Sequence, residues 1–248
     1  MRLRISTVSY LNSIPFVYGI EKSGILKDFI LEKDVPSVCA KKLITGQVDI
    51  GIVPVAILNE LKEYHILTDY CIGATGKVAS VLLFSKKPIH EITEICLDTD
   101  SRTSVALIKI LCKQHWKINP TWKEYTFNDN EKFPETMVAI GDKTFDLMNE
   151  FSYIYDLGEE WNKFSSLPFV FACWVSIKKI SDEDLDSFNQ AIAFGVTNKF
   201  KAVEELANTY NTDVNEYVEK YISYELDDAK RKGLKLFLDY LKKMDSTK

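Results

Sequence analysis

The sequence predicts an α/β protein of two lobes that bind a ligand in the cleft between them. Strand-like and helix-like segments alternate along most of the 248 residues, which is typical of α/β architecture. Two long apolar segments, near residues 80–86 and 169–177, bracket a central block, as expected for a chain that leaves one lobe, builds a second and returns. We therefore expect one lobe to comprise residues 1–86 and 171–248, and the other to comprise residues 87–170.

The first quarter of the chain predicts alternating strands and helices. Residues 3–8 form the first expected strand. Pro15 suits the first position of the next helix, because the amide hydrogen that proline lacks has no helical acceptor there. The pattern then predicts a helix over 38–44 that ends at Gly46, a buried strand over 48–53 and a helix over 55–61.

The central block predicts strands and one amphipathic helix. The helix follows residue 104, since Val105, Ile108 and Leu111 fall on one face at helical spacing. Residues 119–134 are polar and predict irregular structure. The expected strands cover residues 79–85, 92–97, 137–140 and 169–177.

The last 70 or so residues predict helices alone. Ser181 begins a motif that resembles a capping box, with Asp184 in place of the usual glutamate. An apolar stripe over residues 185–203 then predicts one long helix. Two further helices are expected over residues 214–221 and 234–241.

The composition argues against several classes of partner. The formal net charge is −5 and the sequence pI is about 5.4, so no pervasive basic surface is available to attract nucleic acid or an anionic membrane. No stretch reaches the roughly 18 uninterrupted apolar residues of a membrane span. An anionic ligand must therefore be bound locally, by backbone amides, hydroxyl groups or a few cations.

The cysteines and histidines indicate neither disulfides nor a metal site. The five cysteines are odd in number, scattered and without a CxxC pair, and no signal-peptide-like run follows the first residues. We therefore expect reduced thiols in a cytoplasmic protein. The three histidines lie far apart without ligand-like spacing, so we expect no metal.

The first candidate site follows the first expected strand. Tyr10 and Asn12 lie where that strand ends and a helix begins, and open α/β sheets bind ligands at the carboxyl ends of their strands. Asn12 offers amide donors and a carbonyl acceptor on a short stem. The alternative is that Asn12 simply caps the helix.

The second candidate site is the turn Ser101-Arg102-Thr103-Ser104 between a strand and a helix. Its hydroxyl groups and the unpaired amide hydrogens of the helix start form a suitable site for a carboxylate, and Arg102 can add a charge-assisted contact. Ordinary capping by Ser101 or Thr103 is the alternative.

Three single residues complete the candidates. Ser80 starts an apolar strand, so its hydroxyl contacts either a ligand or the backbone. Phe169 opens an aromatic strand that either lines the cleft or fills the core. Asp142 follows a glycine after a strand, and it serves as a ligand contact or as a helix cap. These segments contain no histidine, and the chain has no phosphate-binding glycine loop and no GxSxG motif, which argues against nucleotide, triad and metal chemistry.

Seven segments, taken together and in order, resemble the chorismate dehydratase family of the futalosine route to menaquinone. Each segment is weak alone, but the ordered set is specific and spans about residues 5 to 177. The matching pieces are residues 10–12 with 15–16, 46–54, 78–85, 101–107, 140–142, 155–161 and 167–174.

The resemblance implies a fold, a reaction and site residues. The fold is the type II periplasmic-binding-protein fold, used in the cytoplasm, with the substrate between the lobes. The reaction is that of a carbon–oxygen lyase without a cofactor, which converts chorismate to 3-[(1-carboxyvinyl)oxy]benzoate and water. By motif position, Asn12 and Ser80 carry over as catalytic residues and the 101–104 turn as substrate-binding. Asp142 and the strand from Phe169 carry over as further contacts.

These residues suggest a division of roles. The helix start at residues 101–104 is expected to hold one carboxylate, while Asn12 and Ser80 orient the leaving hydroxyl or the enolpyruvyl group. The base is either the second carboxylate of the substrate, held close by closure of the lobes, or Asp142.

Two other functions compete with this interpretation. One is the related dihydroxynaphthoate-forming enzyme, but that relative is expected to begin with a Ser-Pro-Cys-Pro-like segment and to use a histidine. This chain has no such segment, and none of its three histidines is suitably placed. The other is a non-catalytic cytoplasmic module that binds or senses a small carboxylate. Incubation with chorismate distinguishes an enzyme from a sensor.

Overall fold

The computed structural model describes residues 2–98, 101–127, 132–207, 210 and 212–245. These ranges contain eleven strands: β1 (Leu3–Val8), β2 (Phe29–Asp34), β3 (Ile50–Pro54), β4 (His65–Ala74), β5 (Val81–Ser85), β6 (Glu94–Asp98), β7 (Thr121–Tyr125), β8 (Thr136–Ile140), β9 (Tyr153–Asp156), β10 (Phe169–Ser176) and β11 (Ser223–Glu225). They also contain eight helices: α1 (Ile14–Lys22), α2 (Pro36–Ile44), α3 (Arg102–Leu111), α4 (Leu157–Ser165), α5 (Asp182–Thr197), α6 (Lys199–Leu206), α7 (Val214–Glu216) and α8 (Asp228–Asp245).

The strands form two mixed sheets, one in each lobe. The first sheet has six strands in the order β11-β4-β10-β3-β1-β2, in which β1 runs parallel to β2 and β3, and β10 runs antiparallel to β3 and β4. The second sheet has five strands in the order β7-β6-β8-β5-β9, in which β6 is parallel to β7 and β8 and β5 is antiparallel to β8 and β9. The architecture is therefore the predicted two-lobed α/β fold.

The residues at which the chain passes from one sheet to the other differ by several positions from the predicted lobe boundaries. Strand β5 pairs with β8 from Val81 to Ser85, so it belongs to the second sheet, although a boundary at residue 86 assigned it to the first lobe. On the return, Phe169 and Val170 already pair with β4 of the first sheet. We place the two crossings at residues 75–79 and 157–168, since the backbone of Ser80 already bonds to Gly141 after β8. The difference arises because an apolar run indicates burial but not which sheet a strand joins.

Several local predictions were wrong for identifiable reasons. Strand β7 lies within residues 119–134 and β11 lies among the C-terminal helices; both are short edge strands with little apolar patterning. Residues Val55–Asn59 form a 3₁₀ turn instead of an α-helix. The stripe over residues 185–203 is divided between α5 and α6 at Asn198, since an apolar stripe can continue across a break in the backbone.

Close packing of α1 against α5 fixes the backbone that follows β1. A Cβ atom on Gly195 would lie 1.9 Å from the carbonyl oxygen of Pro15, and one on Gly19 would lie 2.0 Å from that of Ala191. Only glycine permits the two helices to approach this closely. The helix that begins at Ile14 is thereby held on the first sheet, and the loop containing Tyr10 and Asn12 is held with it.

Three general features of the described residues concern membrane spans, metal ligands and disulfides. None of the described helices combines the length and apolar character that a bilayer-spanning segment needs. Within the same part of the chain, no three or more His, Cys, Asp or Glu side chains are grouped in a way that could hold a metal ion. All five cysteines are buried and free.

Candidate functional site

A cavity lies between the two lobes, at the carboxyl end of β1. It encloses about 510 Å³ of space, counted up to and including the solvent at its open mouth. Most of its wall is apolar. Its polar side chains are Tyr10 and Asn12 from the first lobe and Ser80, Ser101, Thr103 and Ser104 from the second. The structure thus brings together six of the nine residues that the sequence singled out.

Asn12 presents an unpaired carbonyl oxygen at this cavity. It lies in a 3₁₀ turn, Leu11–Ser13, and only 9% of the residue is exposed. Its Oδ1 atom is buried and has no hydrogen-bond partner among the described residues, and its side chain caps neither the turn nor α1. A buried acceptor without a donor costs free energy. A ligand that donates a hydrogen bond would remove that cost.

Ser80 is held at the start of β5 by a strained turn. Ala79 has a φ of 62°, in the left-handed region that alanine rarely adopts. The buried carboxylate of Asp156 accepts hydrogen bonds from the backbone amides of Val78 and Ala79, the latter at 2.7 Å, and so stabilises the turn. Ser80 is 1% exposed. Its Oγ lies 2.7 Å from the hydroxyl of Tyr217 and 3.5 Å from the carbonyl oxygen of Val78.

The start of α3 faces the cavity, and Ser101 caps this helix, which was the alternative role that the sequence left open. Its Oγ accepts a hydrogen bond from the amide of Ser104 at 3.2 Å, which caps the helix. The same hydroxyl donates to Ser104 Oγ at 2.7 Å. Because the helix dipole places partial positive charge here, this wall favours an anionic group.

Thr103 connects the lobes across the cavity. Its Oγ1 accepts a hydrogen bond from the amide of Ala56 and donates to the carbonyl oxygen of Phe171, both at 3.2 Å. Both partners belong to the first lobe. The proton of the Thr103 hydroxyl is therefore used in a hydrogen bond between the lobes. Only an acceptor position on its oxygen is left for a ligand.

Arg102 does not lie at the cavity. Its guanidinium forms an ion pair with Glu60 at 2.7 Å on the protein surface, where about half of each side chain is exposed. Successive residues of a helix point about 100° apart. When Ser101 and Thr103 face the cavity, the residue between them is directed to solvent, so the sequence prediction of a substrate contact at Arg102 does not fit this geometry.

Phe169 is also placed away from the cavity, in the core. It is 1% exposed, and its ring packs against Phe237 at 5.0 Å and Trp161 at 5.3 Å between ring centroids. Phe171, two residues further along β10, lines the cavity and covers the Phe169 ring at 4.7 Å. The aromatic strand does reach the site, but through a different residue.

Asp142 joins the lobes beside the cavity instead of lining it. Its two carboxylate oxygens lie 3.2 and 3.3 Å from the amide nitrogen of Leu11, which donates to them across the cleft. Burial raises the pKa of Asp142 to about 6, although the hydrogen bond from Leu11 acts in the opposite direction. The preceding residue, Gly141, contacts the ring of Tyr10 on the other lobe.

Tyr217 is a residue of the site that the sequence did not reveal. It begins a π-helical turn, Tyr217–Tyr221, after α7, and it is 1% exposed. Besides its contact with Ser80, its ring packs edge-on against Phe145 of the second lobe at 5.3 Å. In the sequence it is one apolar position of an amphipathic helix, and no motif distinguishes it from the tyrosines around it.

Comparisons with known proteins agree on one family. A family model described as menaquinone biosynthesis matches residues 3–243. A protein of Campylobacter jejuni named chorismate dehydratase is 26% identical over 248 residues, which cover 96% of this chain and 97% of that protein. A Thermus thermophilus protein of the same name is 26% identical over 184 residues, which cover 66% of each chain.

Solved structures share the fold at low sequence identity. A crystal structure of an Archaeoglobus fulgidus protein superposes with a TM-score of 0.75 at 14% identity, covering 98% of both chains. The periplasmic aliphatic sulphonate binding protein of Escherichia coli superposes with a TM-score of 0.62 at 12% identity, covering 99% of this chain and 87% of that one. The fold is therefore that of periplasmic binding proteins, as the sequence predicted.

Proposed function

Since the chain belongs to the menaquinone biosynthesis family, we propose that it is a chorismate dehydratase, which eliminates water from chorismate to form 3-[(1-carboxyvinyl)oxy]benzoate. The observation that carries the proposal is the interlobe cavity. Its wall is mostly apolar, and hydroxyl groups, a carboxamide and a helix start form its polar part. Such a wall suits a cyclic, largely apolar molecule with a few acidic groups.

The cavity binds a dianion without a cationic side chain. No lysine or arginine is among the described residues that line it, and the whole chain carries a net charge of −5. One carboxylate of the substrate lies at the start of α3, where it can accept from free amide hydrogens of the first helical turn and from the hydroxyl of Ser104, which Ser101 orients by donating to its oxygen. Hydrogen bonds and the helix dipole thus supply the attraction that a cation would otherwise provide.

The reaction removes the ring hydroxyl of chorismate and the hydrogen on the neighbouring ether-bearing carbon. Formation of the aromatic ring drives it, so catalysis has to assist departure of the proton and of the hydroxyl group. Ser80 donates a hydrogen bond to the leaving hydroxyl, and the amide nitrogen of Asn12 donates to the enolpyruvyl group and orients it. The Oδ1 atom of Asn12 accepts from the ring hydroxyl, which is the only hydrogen-bond donor of the dianion. These groups are fixed before the reaction begins, so little reorganisation is needed in the transition state.

The base in this mechanism is the substrate itself. No described residue that lines the cavity carries a carboxylate or an imidazole, and the carboxylate of Asp142 is directed to the amide of Leu11. The second carboxylate of chorismate is held near the reacting hydrogen in the closed cavity and accepts the proton. Proximity of this kind is a recognised source of rate acceleration.

The proposal is tested by incubating the purified protein with chorismate. We expect the substrate to disappear and an aromatic absorbance to grow, with many product molecules formed per protein molecule, and chromatography against the authentic benzoate derivative identifies the product. A protein that binds chorismate in calorimetry but leaves it unchanged is a sensor, and that result would overturn the enzymatic assignment.

Asp142→Asn is expected to retain most of the turnover, because the variant keeps an acceptor for the amide of Leu11 and removes only a charge that the mechanism does not use.

The same variant should also stabilise the protein in a pH-dependent way. The pKa of Asp142 is raised to about 6, so the folded state holds this proton more tightly than the unfolded state, and wild-type stability falls as pH rises from about 4 to 6. The variant lacks this loss. We expect its free energy of unfolding at pH 7 to exceed that of the wild type by about 2 kcal/mol, a value reduced to allow for solvent screening of a half-buried group.

Urea unfolding at several pH values, combined with kcat measurements, checks both expectations. Asp239→Asn is the matched control, since Asp239 is an exposed residue of α8 that lies away from the cavity. If Asp142→Asn abolishes turnover while the protein stays folded, Asp142 is the base and the substrate-carboxylate mechanism is wrong.

A further inference from the structure

We propose that Tyr217 is a positioning residue for Ser80: its hydroxyl donates a hydrogen bond to Ser80 Oγ and thereby leaves the proton of Ser80 to point into the cavity. The inference rests on the proposed dehydration, in which that proton assists the leaving hydroxyl. It concerns a residue outside the cavity wall, from the C-terminal segment of the first lobe.

The contact is short, buried and made between the lobes. The two hydroxyl oxygens lie 2.7 Å apart, and Ser80 and Tyr217 are each 1% exposed. Ser80 begins the second lobe, whereas Tyr217 lies beyond β10 in the first. The ring of Tyr217 is fixed by its edge-on contact with Phe145 of the second lobe. The contact can therefore form only when the lobes are closed.

The side chains of Ser80 and Asn12 are both hydrogen-bond partners of the Tyr217 hydroxyl, and Ser80 Oγ lies 2.7 Å from it. Either hydroxyl of this pair could donate by geometry, and we assign Ser80 Oγ as the acceptor for the phenolic proton. A phenol is a stronger donor than an aliphatic hydroxyl. Burial raises the pKa of Tyr217 well above its ordinary value, against the opposing influence of the Ser80 and Asn12 side chains, so the proton is retained.

The proton of Ser80 is left without a good acceptor in the protein. The carbonyl oxygen of Val78 lies 3.5 Å away, at the limit of a hydrogen bond. A substrate hydroxyl in the cavity offers a better acceptor. Tyr217 thus orients Ser80 as a donor toward the ligand, and it does so only in the closed arrangement in which the substrate is enclosed.

Tyr217→Phe tests this arrangement, because it removes the hydroxyl and keeps the ring against Phe145. We expect kcat on chorismate to fall about 10- to 50-fold with little change in KM, as for loss of one hydrogen bond that acts mainly in the transition state. Tyr224→Phe is the matched control. Tyr224 is a nearby buried tyrosine whose hydroxyl has no hydrogen-bond partner among the described residues, so its removal should leave kcat near wild type.

A double-mutant cycle separates positioning from a general effect on structure. If Tyr217 acts through Ser80, the double variant Ser80→Ala/Tyr217→Phe should be no slower than Ser80→Ala alone. Losses that multiply, or a Tyr217→Phe variant with wild-type kcat, would overturn the inference. Should Tyr217→Phe fail to fold, 3-fluorotyrosine at position 217 keeps the ring and strengthens the donor; an unchanged kcat would then overturn the inference, and a change of about twofold at constant KM would support it.

Failure of the dehydratase assignment can be distinguished from failure of the positioning role of Tyr217. If wild-type protein leaves chorismate unchanged, the dehydratase assignment fails by itself. The hydrogen bond between Tyr217 and Ser80 is then tested in the free energy of unfolding of the same four proteins, where the two substitutions should be strongly non-additive. Additive losses in that measurement would overturn the positioning role.

Discussion

Ser80→Ala and Asn12→Ala are each expected to lower kcat on chorismate by about 100-fold while the protein stays folded, since removal of one preorganised transition-state donor typically costs this much. Both side chains are buried at the cavity wall. Neither substitution removes a helix cap. Ser80→Ala leaves the buried hydroxyl of Tyr217 without its 2.7 Å partner and should cost some stability, whereas Asn12→Ala eliminates an unpaired buried oxygen and should cost little. Steady-state kinetics and thermal unfolding of each variant check the expectation.

Two control variants carry the same chemistry outside the cavity. Ser85→Ala changes a buried serine at the other end of β5, whose hydroxyl donates to the carbonyl oxygen of Lys87. Asn189→Ala changes a half-buried asparagine of α5 that donates to the carbonyl oxygen of Leu67. Both controls should lose stability and keep kcat. Near-normal kcat in Ser80→Ala and Asn12→Ala would remove these residues from the mechanism.

The sequence predicted most of the cavity because the relevant residues follow strand ends. Polar residues after β1 and β6 have to lie at one edge of their sheets, and Asn12 and Ser101 are found there. Arg102 lies in the same motif but faces away, since a motif identifies a turn and not the direction of each side chain. The same applies within strand β10: the motif identifies the aromatic strand, but it does not show that Phe171 lines the cavity while Phe169 packs behind it.

Contacts between segments distant in the chain could not be predicted from the sequence. Tyr217 reaches Ser80 across 137 residues, and Asp142 reaches Leu11 across 131. Each contact depends on how the lobes close, which is a property of the whole fold. Local patterns also missed β7 and β11, whose pairing at sheet edges stabilises them more than their own composition does.

The Asp142 loop and the Tyr10 loop meet at a position that only glycine can occupy. Gly141 has φ 71° and ψ −161°, a conformation that is essentially restricted to glycine. A Cβ atom there would lie 2.9 Å from the ring of Tyr10, which belongs to the opposite lobe. The same glycine lines the cavity and precedes the carboxylate that accepts from Leu11. A side chain at residue 141 would therefore oppose closure directly.

Gly141→Ala is expected to lower kcat/KM by about 100-fold, since backbone strain and the contact with Tyr10 together cost on the order of 2–3 kcal/mol in the closed state. The open state can relax both, so the loss should exceed any loss of global stability. Gly46→Ala is the control: Gly46 also has a positive φ, of 69°, but a Cβ atom there meets nothing within 4 Å. It should cost stability of about 1 kcal/mol and leave kcat/KM unchanged.

Shortening the side chain of Tyr10 identifies which part of the loss in kcat/KM arises from the contact between the lobes. In the Gly141→Ala background, Tyr10→Leu should recover part of kcat/KM, because the smaller side chain makes room for the new methyl group, whereas Tyr10→Leu alone should lower it. Such mutual compensation occurs only between groups in contact. If the two losses simply multiply, or if Gly141→Ala retains wild-type kcat/KM, the lobes do not close on these residues during turnover. The hydrogen bond from Leu11 to Asp142 would then also be absent from the catalytically active arrangement.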